Sequence, residues 1–297
     1  TLRQYYALGA RYMTLTHTAT TTWADAATDA PKHHGLAPFG LEVIHEMNRL
    51  GMLVDLSHVS PEVMQAALNV STAPVIFSHS NAKAVSNVGR NVPDEILRQL
   101  PKNGGVVMVT FVPSFSSQVV ADYGKKDAEY KKANPEPRAT VQDVANHIDH
   151  IKKVAGIDHI GLGGDFDGIE SVVQGLEDTS KYPNLIVELL KRGYTDDDIR
   201  KITNGNISVT NGVIHVIDRV MLPIAGRGWD DHWDDVARAE MDHMLWLFRE
   251  SGHDWARVRG AMARLRVAST VPPPPPARVI AASTSAGPTS PPWTRSR

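Results

Sequence analysis

From the first residues to about residue 218, short apolar blocks alternate with stretches whose apolar positions recur at helical spacing. The blocks at 11–15 (RYMTL), 52–56 (MLVDL), 74–77 (PVIF), 105–111 (GVVMVTF) and 157–162 (IDHIGL) are predicted strands. Between them, residues 40–50 place Leu41, Ile44, Met47 and Leu50 on one helical face. Ser60-Pro61-Glu62 reads as an N-cap, a first-turn proline and a first-turn acid, opening a helix through Leu68. Pro93-Asp94-Glu95 opens another, ending near Lys102-Asn103-Gly104. Helices follow at 141–154 and at 182–191, the latter with Gly193 as its stop, and Thr195 with three acids behind it caps one more. Strands with few charges are buried on both faces, so the alternation predicts an α/β fold with a helix-covered parallel sheet.

After about residue 220 the pattern changes. Residues 228–267 predict one or two helices and no strand. From Val271 the chain runs through five consecutive prolines into a Ser/Thr/Ala/Pro mixture that lacks the apolar content of a core. The expected organisation is therefore a β/α domain at 1–218, a helical extension at 219–268 and a disordered proline-rich tail at 269–297.

Composition acts mainly by exclusion. The 297 residues carry 42% hydrophobic and 22% charged residues, which is ordinary for a chain with a sizeable core. A formal net charge of -2 argues against a nucleic-acid partner or an anionic membrane surface. The absence of cysteine excludes disulfides, thiolate metal sites and a cysteine nucleophile. No apolar stretch is long enough to form a transmembrane segment. The chain opens TLRQYY, without an initiator Met or a leader, which raises the expectation that it begins inside a longer protein. The compartment stays open, with the cytoplasm the expectation for the chain as given.

Candidate chemistry collects at strand ends, where α/β enzymes place catalytic groups and ligands. LVDLSHVS ends on His58 and its neighbour, APVIFSHS, on His79. Either histidine alone reads as a capping or packing residue. Twenty-one residues apart, with one helical unit between them, they fall on neighbouring strands facing one mouth, which suggests a metal pair. GGDFDG places Asp165 nearer its strand end than Asp167, which reads equally as a turn former. Asp165 is a candidate metal ligand and proton carrier. His17, closing YMTLTHT, reads either as a site residue or as a satisfied polar residue. Arg90, in the loop after the His79 strand, is placed to clamp a substrate carboxylate. His33-His34 reads as a loop pair, and His147 and His150 as helix surface or packing. No G-x-S-x-G elbow, P-loop or dinucleotide-binding glycine motif is present.

YMTLTHT, TWAD, GLAPFG, EMNRLGMLVDLSHVS, APVIFSHS, RNVPDE, DHIKKVAG, GLGGDFDG and GLEDTSKYP, in this order, resemble the membrane (renal) dipeptidase family of zinc peptidases, family M19, over residues 1–218. The resemblance implies a TIM-type (β/α)8 barrel, two zinc ions and dipeptide hydrolysis, with β-lactam opening in some members. It assigns His58 and His79 to one zinc, and Asp165 to weak binding of the other and to proton shuttling. It assigns His17 to the oxyanion, Arg90 to the dipeptide's free carboxylate and Asn206 to a structural position.

Two departures accompany it. The family's H-x-D ligands and bridging glutamate have no counterpart upstream of the first strand, and five strands stand where eight are implied. The chain therefore looks like a member without its N-terminal third, and residues 219–297 carry no resemblance. A zinc-dependent dipeptidase is the leading expectation, with a dipeptide as partner and a homodimer as a candidate assembly. A catalytically silent member that binds metal or a partner, and an amidohydrolase-like hydrolase with another substrate, are the alternatives.

Overall fold

The structure, a computed structural model, describes residues 1–204, 206–209 and 212–215. Five parallel strands form one sheet in sequential order: β1 (Tyr12–Thr14), β2 (Leu53–Asp55), β3 (Ile76–Phe77), β4 (Val106–Val109) and β5 (Ile160–Leu162). The helices are α1 (Leu2–Ala7), α2 (Pro38–Leu50), α3 (Pro61–Val70), α4 (Asp94–Leu97), α5 (Leu100–Asn103), α6 (Pro113–Ser116), α7 (Gln118–Gly124), α8 (Ala128–Ala133), α9 (Val141–Val154), α10 (Tyr182–Lys191) and α11 (Asp196–Asn204). An antiparallel hairpin, β6 (Asn206–Val209) and β7 (Gly212–His215), follows. Asn206 thus opens a strand. The extension and tail expected at 219–297 lie outside the described residues.

Alternation along the strands builds two layers of core. Val54, Phe77, Val107, Val109, Ile160 and Leu162 face the helices and join a continuous cluster with Ile44, Met64, Ile148 and Leu189. Leu53, Ile76, Val106 and Met108 form a smaller buried cluster on the opposite face. Both faces of β4 are therefore filled, which is why VVMV reads as an uninterrupted apolar run. Four such side chains, at roughly 1.5–3 kcal/mol each, make this strand a main source of burial energy.

Local chemistry sets the helix ends. Ser60 Oγ accepts from the Val63 N–H at 3.3 Å, and Pro61 follows it in the first turn of α3. Thr140 and Asp143 make a reciprocal capping box on α9. The single helix expected from residue 93 to about 103 is instead two short ones. Pro101 falls in the first turn of α5, and in a continuous helix its ring would meet the carbonyl of Leu97, four residues back. The expected strand at 157–162 shortens to β5, because Ile157–His159 forms a 3-10 turn and His159 Nδ1 bonds the Gly105 carbonyl oxygen. Helices α6, α7 and α8 have no counterpart among the elements the sequence predicts.

The α9 histidines are packing residues, as expected. His147 is fully buried. Its Nδ1 accepts from the Ala82 N–H at 3.1 Å, and its Nε2 faces the Ser116 carbonyl oxygen at 3.0 Å, so the ring is a neutral Nε2–H tautomer that ties two loops to the helix. His150 Nε2 meets Asp94 Oδ1 at 2.7 Å.

Two tests follow from this packing. Beyond β5, a Cβ on Gly163 would overlap the Ser78 carbonyl oxygen. Gly163→Ala should therefore lower the unfolding free energy by about 3 kcal/mol in a urea titration; a loss below ~1 kcal/mol would contradict the close approach. Burial holds the His147 pKa down from 6.5 to about 4. The unfolded chain thus takes up the proton first as the pH falls. The stabilising contribution is complete above pH 6.5 and is lost toward pH 4, ~3 kcal/mol in all. His147→Gln should show a correspondingly shallower loss of melting temperature across that window.

Candidate active site

The strand ends converge as the sequence reading expects. The His17 and His58 rings stack with centroids 4.1 Å apart, and the His58 and His79 rings meet edge-on at 4.8 Å. His58 Nε2 and His79 Nε2 face each other at 2.8 Å. Both rings are half-buried, while His17 is exposed. Burial first, then the Arg90 charge, pushes the His58 pKa down to about 3. Burial also lowers that of His79, against the pull of Asp165 and Asp55. Both are neutral imidazoles at physiological pH, the form that ligates metal.

The backbone aims these groups through unusual dihedrals. His58 (φ 70°) and Asp165 (φ 60°) both lie in the left-handed region, which non-glycine residues seldom occupy. Such strain costs about 1–3 kcal/mol and concentrates at functional sites. The Asp165 carboxylate folds over Gly168, where an added Cβ would come within 2.6 Å of Oδ1. Its charge acts on His79 and on Arg90. Asp167 beside it is exposed.

Arg90 is 3% exposed, and neither Nη1 nor Nη2 has a hydrogen-bond partner. Its guanidinium lies over the Phe115 ring, 5.3 Å from the centroid. Buried Asn91 braces the loop by donating to the Ser86 and Phe115 carbonyl oxygens at 2.8 and 2.9 Å. Burial lowers the Arg90 pKa to about 10, so it remains a cation at neutral pH. Buried N–H groups left without acceptors cost about 1–3 kcal/mol each. A carboxylate seated here bidentately relieves that cost.

Sequence reasoning missed the floor of this site. Asp55 is fully buried at the end of β2. Its Oδ1 accepts from the Ser57 and Ser78 N–H groups, each at 3.0 Å. Its Oδ2 accepts from Thr14 Oγ1 and Ser78 Oγ, each at 2.6 Å. Ser78 Oγ lies 2.8 Å from His79 Nδ1. The available signal was an acid in the middle of an apolar run. The TWAD acid is structural by contrast: Asp25 accepts from the Lys32, His33 and Gly35 N–H groups, and His33 stays in that loop.

The metal that the resemblance implies can be weighed against these residues. A tetrahedral zinc holds two ligand nitrogens about 3.3 Å apart, so the facing Nε2 atoms need only a small rotation to share an ion. His58 Nδ1 is buried with no hydrogen-bond partner, and His79 is anchored through its own Nδ1. The pair fits one side of a divalent-metal site. Among the described residues, no group of three or more His, Asp or Glu side chains stands ready to hold an ion.

A sequential parallel sheet with outer helices and polar groups at its C-terminal strand ends defines a TIM-barrel-like α/β scaffold with its candidate site where such folds place theirs. Residues 1–218 match the membrane dipeptidase family (peptidase family M19), and the chain belongs to that family. It is 43% identical over 257 residues to the dipeptidase tcpJ of Claviceps purpurea, covering 85% of this chain and 56% of that protein. It is 48% identical over 209 residues to an uncharacterized dipeptidase of Schizosaccharomyces pombe, covering 69% and 47% respectively. The chain thus spans about half the length of the curated relatives it matches. Among solved structures, it resembles the probable dipeptidase PvdM from Pseudomonas aeruginosa with a TM-score of 0.60, 26% identity and 68% and 62% of the two chains covered. It also resembles a metallo peptidase from Rhodobacter sphaeroides liganded with a phosphinate mimic of the dipeptide L-Ala-D-Ala, with a TM-score of 0.58, 28% identity and coverage of 68% and 55%.

The histidine pair is testable without substrate. His58→Asn keeps a residue that tolerates the left-handed backbone, so the metal-free melting temperature should move by only a few degrees. Zinc affinity, read by calorimetry, should fall at least about tenfold in His58→Asn and in His79→Ala. Unchanged affinity in both would exclude the pair as ligands.

Proposed function

We infer that this chain carries the substrate-gripping and histidine-ligand part of a zinc dipeptidase site, and that its reaction is hydrolysis of the peptide bond of a dipeptide. The observation that carries this reading is Arg90, a buried cation with two unpartnered guanidinium nitrogens beside a neutral imidazole pair. It matches a small substrate that ends in a free carboxylate. The ligand of the Rhodobacter sphaeroides relative, a phosphinate mimic of L-Ala-D-Ala, supports a dipeptide.

His58 and His79 would hold one zinc, and Asp165 would contribute weakly to a second. Bound divalent metal lowers the pKa of a water and polarises the scissile carbonyl. Arg90 pairs with the substrate carboxylate and fixes the distance from it to the scissile bond. His17, exposed at the edge of the histidine stack, donates to the oxygen on which negative charge develops. Asp165 accepts the proton of the attacking water on its carboxylate and passes it to the departing amine.

A second reading, that the chain binds metal and dipeptide without turnover, is favoured by one observation: only two ligand side chains face each other among the described residues. Hydrolysis of a dipeptide panel by the zinc-loaded chain, with calorimetric binding of the same dipeptides, separates the two.

In either case, Arg90→Ala should weaken dipeptides on the order of 100-fold or more, the effect of removing one partner of a buried charge pair. The matching dipeptide amides, which lack the carboxylate, should change by less than about threefold. Equal losses for acid and amide would refute the clamp and leave an amidohydrolase-like activity on other substrates.

A further inference from the structure

We propose that Asp55 and Ser78 are positioning residues that set the tautomer of His79, keeping its proton on Nδ1 and leaving the Nε2 lone pair free toward His58. The argument is one of donors and acceptors along a chain of three short contacts. The Asp55 carboxylate can only accept, so the 2.6 Å contact requires the Ser78 hydroxyl to donate to Oδ2. With its single proton committed, Ser78 Oγ must accept at its 2.8 Å contact with His79 Nδ1. The ring therefore carries its proton on Nδ1. Nε2 is then the acceptor at the 2.8 Å contact with His58 Nε2.

The neighbourhood holds the relay in place. Thr14 donates to the same carboxylate oxygen from β1, and two backbone N–H groups saturate the other. Ser57 Oγ accepts from the His79 N–H at 3.0 Å and fixes the backbone beneath the ring. Partners of this kind orient ligating histidines and raise their basicity. Here a serine is interposed between carboxylate and imidazole, so the direction of its hydroxyl carries the information.

The test reads the tautomer first and the metal second, because only the metal arm rests on His58 and His79 being ligands. Nitrogen-15 spectra of the metal-free full chain, labelled at histidine and assigned with His79→Gln, should show a protonated Nδ1 and an unprotonated Nε2 for His79. Asp55→Asn should invert this. The new amide donates to Ser78 Oγ, the hydroxyl turns to donate to Nδ1, and the proton moves to Nε2. Ser78→Ala should leave the two tautomers mixed, and it keeps both backbone bonds to Asp55, so it carries the test if Asp55→Asn fails to fold. A purely structural role would move the melting temperature of Asp55→Asn but not invert the ring.

Calorimetry with zinc alone should then show a 10- to 100-fold loss of affinity in Asp55→Asn, roughly the loss typical of such partners. A wild-type His79 protonated at Nε2, or an unchanged tautomer in both variants, overturns the proposal. Absence of zinc binding to the wild type, with the tautomers behaving as described, overturns the ligand reading and leaves the relay standing.

Discussion

The site depends on one buried carboxylate. Asp55 at the end of β2 accepts four hydrogen bonds, from Thr14 on β1, from the Ser78 hydroxyl and N–H just after β3, and from its own strand end at Ser57. A buried charge without such donors costs several kcal/mol, so these four groups are held as firmly as they hold it. The consequence is geometric. Three strand ends are gathered around one point, and the residues that leave them, His17, His58 and His79, follow one another in contact, the first two stacked and the last two edge-on.

The frame was legible because burial on both faces leaves a plain mark. β4 reads as VVMV, with no polar position to suggest a solvated side. The helix start at Ser60-Pro61 was equally plain, since capping is local chemistry. His58, His79 and Asp165 stood out because each polar residue ends an apolar run, and Arg90 because its loop follows the His79 strand. What stayed hidden depends on contacts between strands. Asp55 and Ser78 lie 23 residues apart in sequence and bond only once β2 and β3 are side by side. The break between α4 and α5 is written in Pro101, a proline inside the span read as one helix. The division of labour between Asp25 and Asp55, both buried acids, needed the donors around each.

Membership of the membrane dipeptidase family rests on residues 1–218, and it sits beside a length about half that of the curated relatives. Within the described sheet, β1 and β5 each pair with a single neighbour, and Tyr12 on β1 is 55% exposed. The groups gathered here are unequal in kind. Arg90 is buried with two unpartnered guanidinium nitrogens, whereas the histidine pair is held by its own contacts, with only His58 Nδ1 unpartnered. Asp165 reaches them through its field on His79 and Arg90, a longer-range coupling than the contacts among the histidines.

The left-handed backbone at His58 and Asp165 bears on how portable this chemistry is. A strand delivers its side chains alternately up and down, and neither direction is the one these two residues use. Transplanting His58 and Asp165 onto another parallel sheet would therefore move the side chains without their aim. The transferable unit is the strand end together with its kink, and the recipient scaffold must be stable enough to carry that local strain.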